Sequence, residues 1–154
     1  MPVKVLLDTN VIIRLLNRAA HEQRALAYGC LIKLREEIHI PCIVPQTLIE
    51  FWAVATLSAE DNGLDFTAEQ ARREIEGLLT IVRFLHDEVA VHTIWLSLVT
   101  SYQLTGRKVF DARLVANMIR HGISHLITFN PDNFAAYREI TAAHPAGVAA
   151  GGLA

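Results

Sequence analysis

The chain has 154 residues, 52% of them hydrophobic, which suits one domain with a substantial core. Its formal net charge of −2 excludes a global field that would pull it onto nucleic acid or an anionic membrane, so any nucleic-acid contact has to be local. The two cysteines, Cys30 and Cys42, stand in helical and strand-like surroundings and suit buried hydrophobes better than a disulfide framework. With no signal-peptide pattern at the start and no apolar run of bilayer length, a cytoplasmic protein with no membrane partner is expected.

Residues 3–7 are too uniformly apolar to alternate, as in a strand covered on both faces of a parallel sheet, and Asp8 would stand at its carboxyl end. From Val11, apolar residues at 11, 12, 15 and 16 form a helical stripe, and the stretch 22–37 repeats that period. "IPCIV" at 40–44 reads as a second buried strand, closed by Pro45 before a helix over 46–60. "EDNGLD" at 60–65 is a loop, and Thr67 with Gln70 forms a capping-box pattern ahead of a long helical stretch over 68–87. A further helix over 92–106 is expected to end on a left-handed Gly106. "DARLVANMIRHG" starts on Asp111 and stops on Gly122, and "SHLITF" at 124–129 is a last strand. The alternation predicts an α/β chain with a small parallel sheet, one domain over 1–140 and an Ala/Gly-rich tail over 141–154.

The acids fall at the edges of these elements. Asp8 ends the first strand, Glu50 lies in the first turns after the second, Asp111 opens a helix and Asp132 follows the last strand. In a parallel sheet with right-handed crossovers, positions just after strands share one edge, and helix N-termini point at it. Each acid also has a purely structural reading: Asp8 and Asp111 as helix caps, Glu50 as the far half of a capping box from Thr47, Asp132 as a turn residue in "NPDNF". Carboxylates about 4 Å apart repel by roughly 4 kcal/mol at an effective dielectric of 20, so a cluster of them calls for a cation or raised pKa values. All-oxygen donors suit Mg²⁺ or Mn²⁺, whereas the scattered histidines offer no zinc spacing.

Three blocks of this sequence, "LLDTNVII", "QTLIEFWAVA" and "FDARLVANMIRHGISHLITFNPDNF", resemble the signature blocks of the PIN domain, and within it VapC-type toxins of bacterial toxin–antitoxin pairs. The resemblance runs from Val3 to about Phe134. It implies a three-layer α/β/α sandwich around a small, mostly parallel sheet and a metal-dependent ribonuclease site. By it, Asp8, Glu50 and Asp111 match the family acids, Thr128 a supporting hydroxyl and Asn10 an amide behind the site. The fourth acid departs from the pattern: the usual positions hold Asn130 and Asn133, with Asp132 between them, so either Asn130 or Asp132 completes the set. The resemblance also implies a homodimer and a protein antitoxin whose C-terminal segment lies along a groove beside the site. The aromatic stretch with Phe51, Trp52 and Ala55 is a candidate wall of that groove.

With Mg²⁺ or Mn²⁺ bound, such a site hydrolyses RNA with water as nucleophile, leaving 5′-phosphate and 3′-hydroxyl ends. Arg14, Arg107, Lys108 and Arg113 are candidates for phosphate contacts. Two rival readings remain. One is an aspartate-nucleophile phosphatase, in which Asn10 would replace the second aspartate although an amide cannot act as general acid. The other is a catalytically degenerate module whose acids only cap helices and which acts by binding protein partners.

Overall fold

A computed structural model describes residues 1–153. The uniformly apolar opening forms β1 (Lys4–Leu7), whose last three residues are buried. It pairs in parallel with β2 (Ile40–Ile43) on one side and β4 (His125–Ile127) on the other. Outside these lie β3 (Arg83–Phe84) and β5 (Thr141–Ala143), giving an all-parallel sheet in the order β3-β2-β1-β4-β5. The order reverses between β1 and β4. In open α/β sheets the crevice beyond the strand ends at such a reversal is where ligands bind, because the flanking connections leave to opposite faces there.

Alternation along β1 divides the core. Val5 and Leu7 face α1 (Thr9–Leu16), α2 (His21–Glu36), α3 (Pro45–Ala55) and α4 (Ala68–Leu78). Leu6 faces the opposite layer, built on α5 (Ala90–Ser101) and α6 (Lys108–His121). The result is the three-layer α/β/α sandwich expected from the sequence, with helices covering both faces of the sheet. The Thr67–Gln70 capping box forms and starts α4, and Gly122 takes the left-handed C-cap that ends α6. No helix among the described residues is long and apolar enough to cross a membrane.

Several expectations are corrected. The helix expected over 68–87 stops at Leu78, and the β-branched run Thr80–Ile81–Val82 leads into edge strand β3. α5 ends at Ser101, and Gln103 takes a left-handed conformation just after it, with Gly106 left-handed in the following loop. The Ala/Gly-rich stretch expected as a tail carries β5 and α7 (Pro145–Gly151). Pro145 occupies the first turn of α7, and the His144 side chain caps it by accepting from the Ala146 N–H at 3.0 Å. α7 packs on α2, and the Leu153 N–H donates to Glu37 Oε2 at the end of that helix.

Candidate active site

Asp8 leaves β1 at the strand-order reversal and is only 9% exposed. Its own N–H donates to the Ile127 carbonyl of β4, which continues the sheet pairing one residue beyond the strand. Asp8 is the N-cap of α1: Oδ1 accepts from the Thr9 N–H at 2.7 Å. Oδ2 accepts from the Thr128 hydroxyl at 2.8 Å, just past the end of β4. The Thr128 oxygen in turn accepts from Asn10 Nδ2 at 3.2 Å and from the Asn130 N–H at 3.1 Å, so its single proton is directed at Asp8. Asn10 closes the ring by accepting from the Phe129 N–H at 3.1 Å. Its amide is thereby engaged at both ends.

Glu50 reaches the same place from α3, and the Thr9 hydroxyl donates to its Oε1 at 3.4 Å. The capping-box reading of Glu50 fails. The N-cap of α3 is Val44 with no side-chain cap, and Thr47 lies inside the helix with its hydroxyl buried and unpartnered. Asp111 is not an N-cap either, since α6 begins at Lys108 and Asp111 is its fourth residue. Of the three acids, only Asp8 also serves as a cap.

The electrostatics tie the three together. Burial raises the Asp8 carboxyl above the usual range; the Thr128 and Thr9 hydrogen bonds oppose this, Glu50 adds to it and Arg14 opposes it. Burial, then the charges of Asp8 and Glu50, lift Asp111 to about 6. Asp111 therefore lies within reach of the charges of Asp8 and Glu50, and Asp8 within reach of that of Glu50, although the three are distant in the chain. Among the described residues, no group of three or more His, Cys, Asp and Glu side chains is arranged to hold a metal ion. The donor chemistry of Asp8, Glu50 and Asp111 is still that of a hard divalent cation, because their mutual repulsion is what such an ion relieves.

Beside Asp111 a cleft of about 520 Å³ opens, with Glu50 at one side. Arg107, just before α6, and Lys108 and Phe110 in its first turn line it, with Asp132 and Asn133 from the 3-10 turn Pro131–Phe134. Asp132 thus shares a wall with Asp111, whereas Asn130 joins the Thr128 network through its backbone. The other two candidate cations do not line this cleft. Arg14 donates to the Asn10 carbonyl and to Gln23 and lies 4.4 Å from the centre of the Phe129 ring. Arg113 pairs with Asp87 at 3.2 Å. Phe51 and Ala55 are core residues, leaving Trp52 with Leu48, Ile49 and Ile75 around a shallow apolar groove.

Sequence reasoning missed Tyr102 and Tyr137 in the cleft wall, and Gln46, whose buried amide donates to the Phe110 carbonyl at 2.9 Å. Burial, with Asp111 as the next cause, pushes the Tyr137 phenol up to about 12. A glutamine in a helix's first turn and tyrosines around a short loop carry no spacing signal, and only the tertiary fold gives them a place here.

Comparison with solved structures finds the same architecture in toxin–antitoxin systems. VapBC2 from Rickettsia felis bound to a promoter DNA fragment superposes with a TM-score of 0.69 at 14% identity, covering 92% of this chain and 98% of the other. VapBC-1 from nontypeable Haemophilus influenzae gives 0.68 at 17%, with the same coverage. Mycobacterium tuberculosis VapC20, a toxin that cleaves the sarcin–ricin loop, gives 0.61 at 19%, covering 88% and 98%. No curated protein matches by sequence. The model of the PIN domain matches residues 5–140, from β1 to just before β5, and the chain belongs to the PIN domain family.

Proposed function

We propose that this protein is a Mg²⁺- or Mn²⁺-dependent endoribonuclease, the toxin of a VapC-type toxin–antitoxin pair, which cuts RNA to 5′-phosphate and 3′-hydroxyl ends. The observation that carries this reading is the electrostatic convergence of Asp8, Glu50 and Asp111 from β1, α3 and α6 at the strand-order reversal. The likeness to VapBC structures supports it, as does the failure of the capping explanation for two of the three acids.

In this reading Asp8 and Asp111 hold the metal, Glu50 holds it or orients the attacking water, and Asn130 or Asp132 completes the set. Such an ion would lower the pKa of a nearby water and offset negative charge developing at the phosphate. Thr128 holds Asp8 Oδ2 by a donated hydrogen bond, which fixes the carboxylate's plane and leaves its outer lone pairs to the site. Arg107 and Lys108, in the cleft wall, take backbone phosphates. A homodimer in the cytoplasm, inhibited by an antitoxin segment laid along the groove at Trp52, completes the proposal.

Purified protein incubated with a mixed RNA pool and Mn²⁺ tests it. Cleavage to 5′-phosphate ends, blocked by EDTA and reduced at least a hundredfold in Asp8→Asn and Asp111→Asn, is expected, on the order of losing a group essential to the chemistry. Undiminished cleavage in either variant ends the assignment.

A further inference from the structure

The turn that carries Asp111 is held from two sides. Trp95 Nε1 on α5 donates to the Val109 carbonyl at 2.9 Å, and Gln46 Nε2 on α3 donates to the Phe110 carbonyl at 2.9 Å. Two side chains from opposite helices thus fix the residues immediately before the acid. On this rigid turn Phe110 is 53% exposed, the most exposed Phe, Tyr or Trp among the described residues, and it lines the cleft beside Asp111. A lone apolar side chain on a surface is ordinary. An aromatic ring carried on a backbone tied down by two side chains, beside a carboxylate site and in a cleft it shares with Arg107 and Lys108, is a built feature. The cleft's 520 Å³ falls within the roughly 300–1,000 Å³ typical of small-ligand sites, the scale of one nucleotide unit.

We infer that Phe110 is a stacking platform for one unpaired nucleobase next to the scissile phosphate, with Arg107 and Lys108 taking the adjoining backbone phosphate. The inference rests on the ribonuclease reading and deepens it by assigning to Phe110 the recognition of an unpaired base at the cut. The chemistry follows from the ring: every base offers a π-face, and stacking on an aromatic side chain recognises it only when it is out of a helix. Recognition by stacking also tolerates sequence, so this subsite selects for strand state, and base identity has to be read elsewhere.

The test compares wild type with Phe110→Ala, Phe110→Leu and Phe110→Trp. Cleavage kinetics are measured on a short mixed-sequence single strand and on the same sequence held in a duplex. Binding of a 2-aminopurine-labelled single strand is followed in EDTA by fluorescence quenching, a readout that needs no cleavage. Expected are a KM for the single strand raised about tenfold in the Ala and Leu variants, with kcat within about twofold, and wild-type values in Phe110→Trp. Cleavage of the duplex is expected to be insensitive to all three. The Leu variant keeps an apolar side chain and the Trp variant keeps a ring, so a packing defect and a lost stack give different patterns. Equal KM and equal quenching in all four proteins overturn the platform even when the wild type cuts RNA well. Ring-dependent quenching in a protein that cuts no RNA supports the platform while the nuclease reading falls.

Discussion

On the β1/β4 side of the site each polar group has a partner. Asp8 accepts at both oxygens, Thr128 accepts twice and donates once, and Asn10 is bonded at both ends of its amide. On the α6 side the acid itself has been given no such neighbours: Asp111 is surrounded by burial and by the charges of Asp8 and Glu50, and only the carbonyls before it are tied down. The difference separates two tasks. A fully bonded carboxylate at the end of a central strand is a fixed anchor: burial raises its pKa, and the hydrogen bonds from Thr128 and Thr9 offset only part of that rise. A carboxylate held up to about 6 by its surroundings is the one whose state responds to a cation, to pH and to whatever enters the cleft.

The anchored half is broken most severely at Thr128. Thr128→Val removes the hydroxyl that serves Asp8, Asn10 and Asn130 at once, leaving polar groups unsatisfied in a buried place. A loss of about 1–3 kcal/mol in urea-melt stability is expected, with activity down about ten- to a hundredfold. Thr128→Ser keeps the hydroxyl and is expected to recover most of both. If valine is tolerated as well as serine, the network is not what positions Asp8.

The open half is probed more gently at its far wall. Asp132 is exposed and stands among the cleft residues rather than in the Asp8 network. Asp132→Asn is expected to lower cleavage by no more than about threefold, far less than Asp111→Asn, since an exposed acid on the rim contributes mainly through screened charge. A loss equal to that of Asp111→Asn would make Asp132 a full member of the metal-holding set and would remove Asn130 from it.

How much of this was legible depends on where the information is local. The buried run of β1, the Thr67–Gln70 capping box and the Gly122 stop are written in consecutive residues, and each forms as read. The edge strands are not. β3 has two residues and β5 the small-residue run Thr-Ala-Ala, and both are strands because β2 and β4 offer them a parallel edge to pair with. α7 hides in a stretch whose glycine and alanine content suggests a tail, although Pro145 at its first turn is a start signal that was open to reading. At the site, strand ends and helix starts allow Asp8, Glu50, Asp111 and Asp132 to share one edge, without fixing from sequence that Asp111 does. The sequence could not separate caps from site acids, because a cap is defined by backbone N–H groups whose positions depend on where the helix begins. α6 begins three residues before Asp111, and that shift removes the capping reading.

The pKa of Asp111 gives the most direct measurement. In the folded chain it lies at about 6, against the usual 3.8. The native state therefore binds more protons than the unfolded chain between those values; this contribution to stability is complete below about pH 4 and is lost as pH rises through 6. At pH 7 and without metal Asp111 is therefore mostly ionised in the folded chain, at a cost set by the burial and the neighbouring charges that raise its pKa. Thermal melts of wild type and Asp111→Asn at pH 7, each in EDTA and in Mn²⁺, read this cost. The expectation is a mutant that melts above wild type in EDTA, and a wild type that gains about 2.7 kcal/mol at a hundredfold excess of Mn²⁺ over its Kd while the mutant gains much less. A mutant that melts below wild type in EDTA, beside a wild type indifferent to Mn²⁺, would mean that Asp111 only answers the dipole of α6 and that these acids form no cation site.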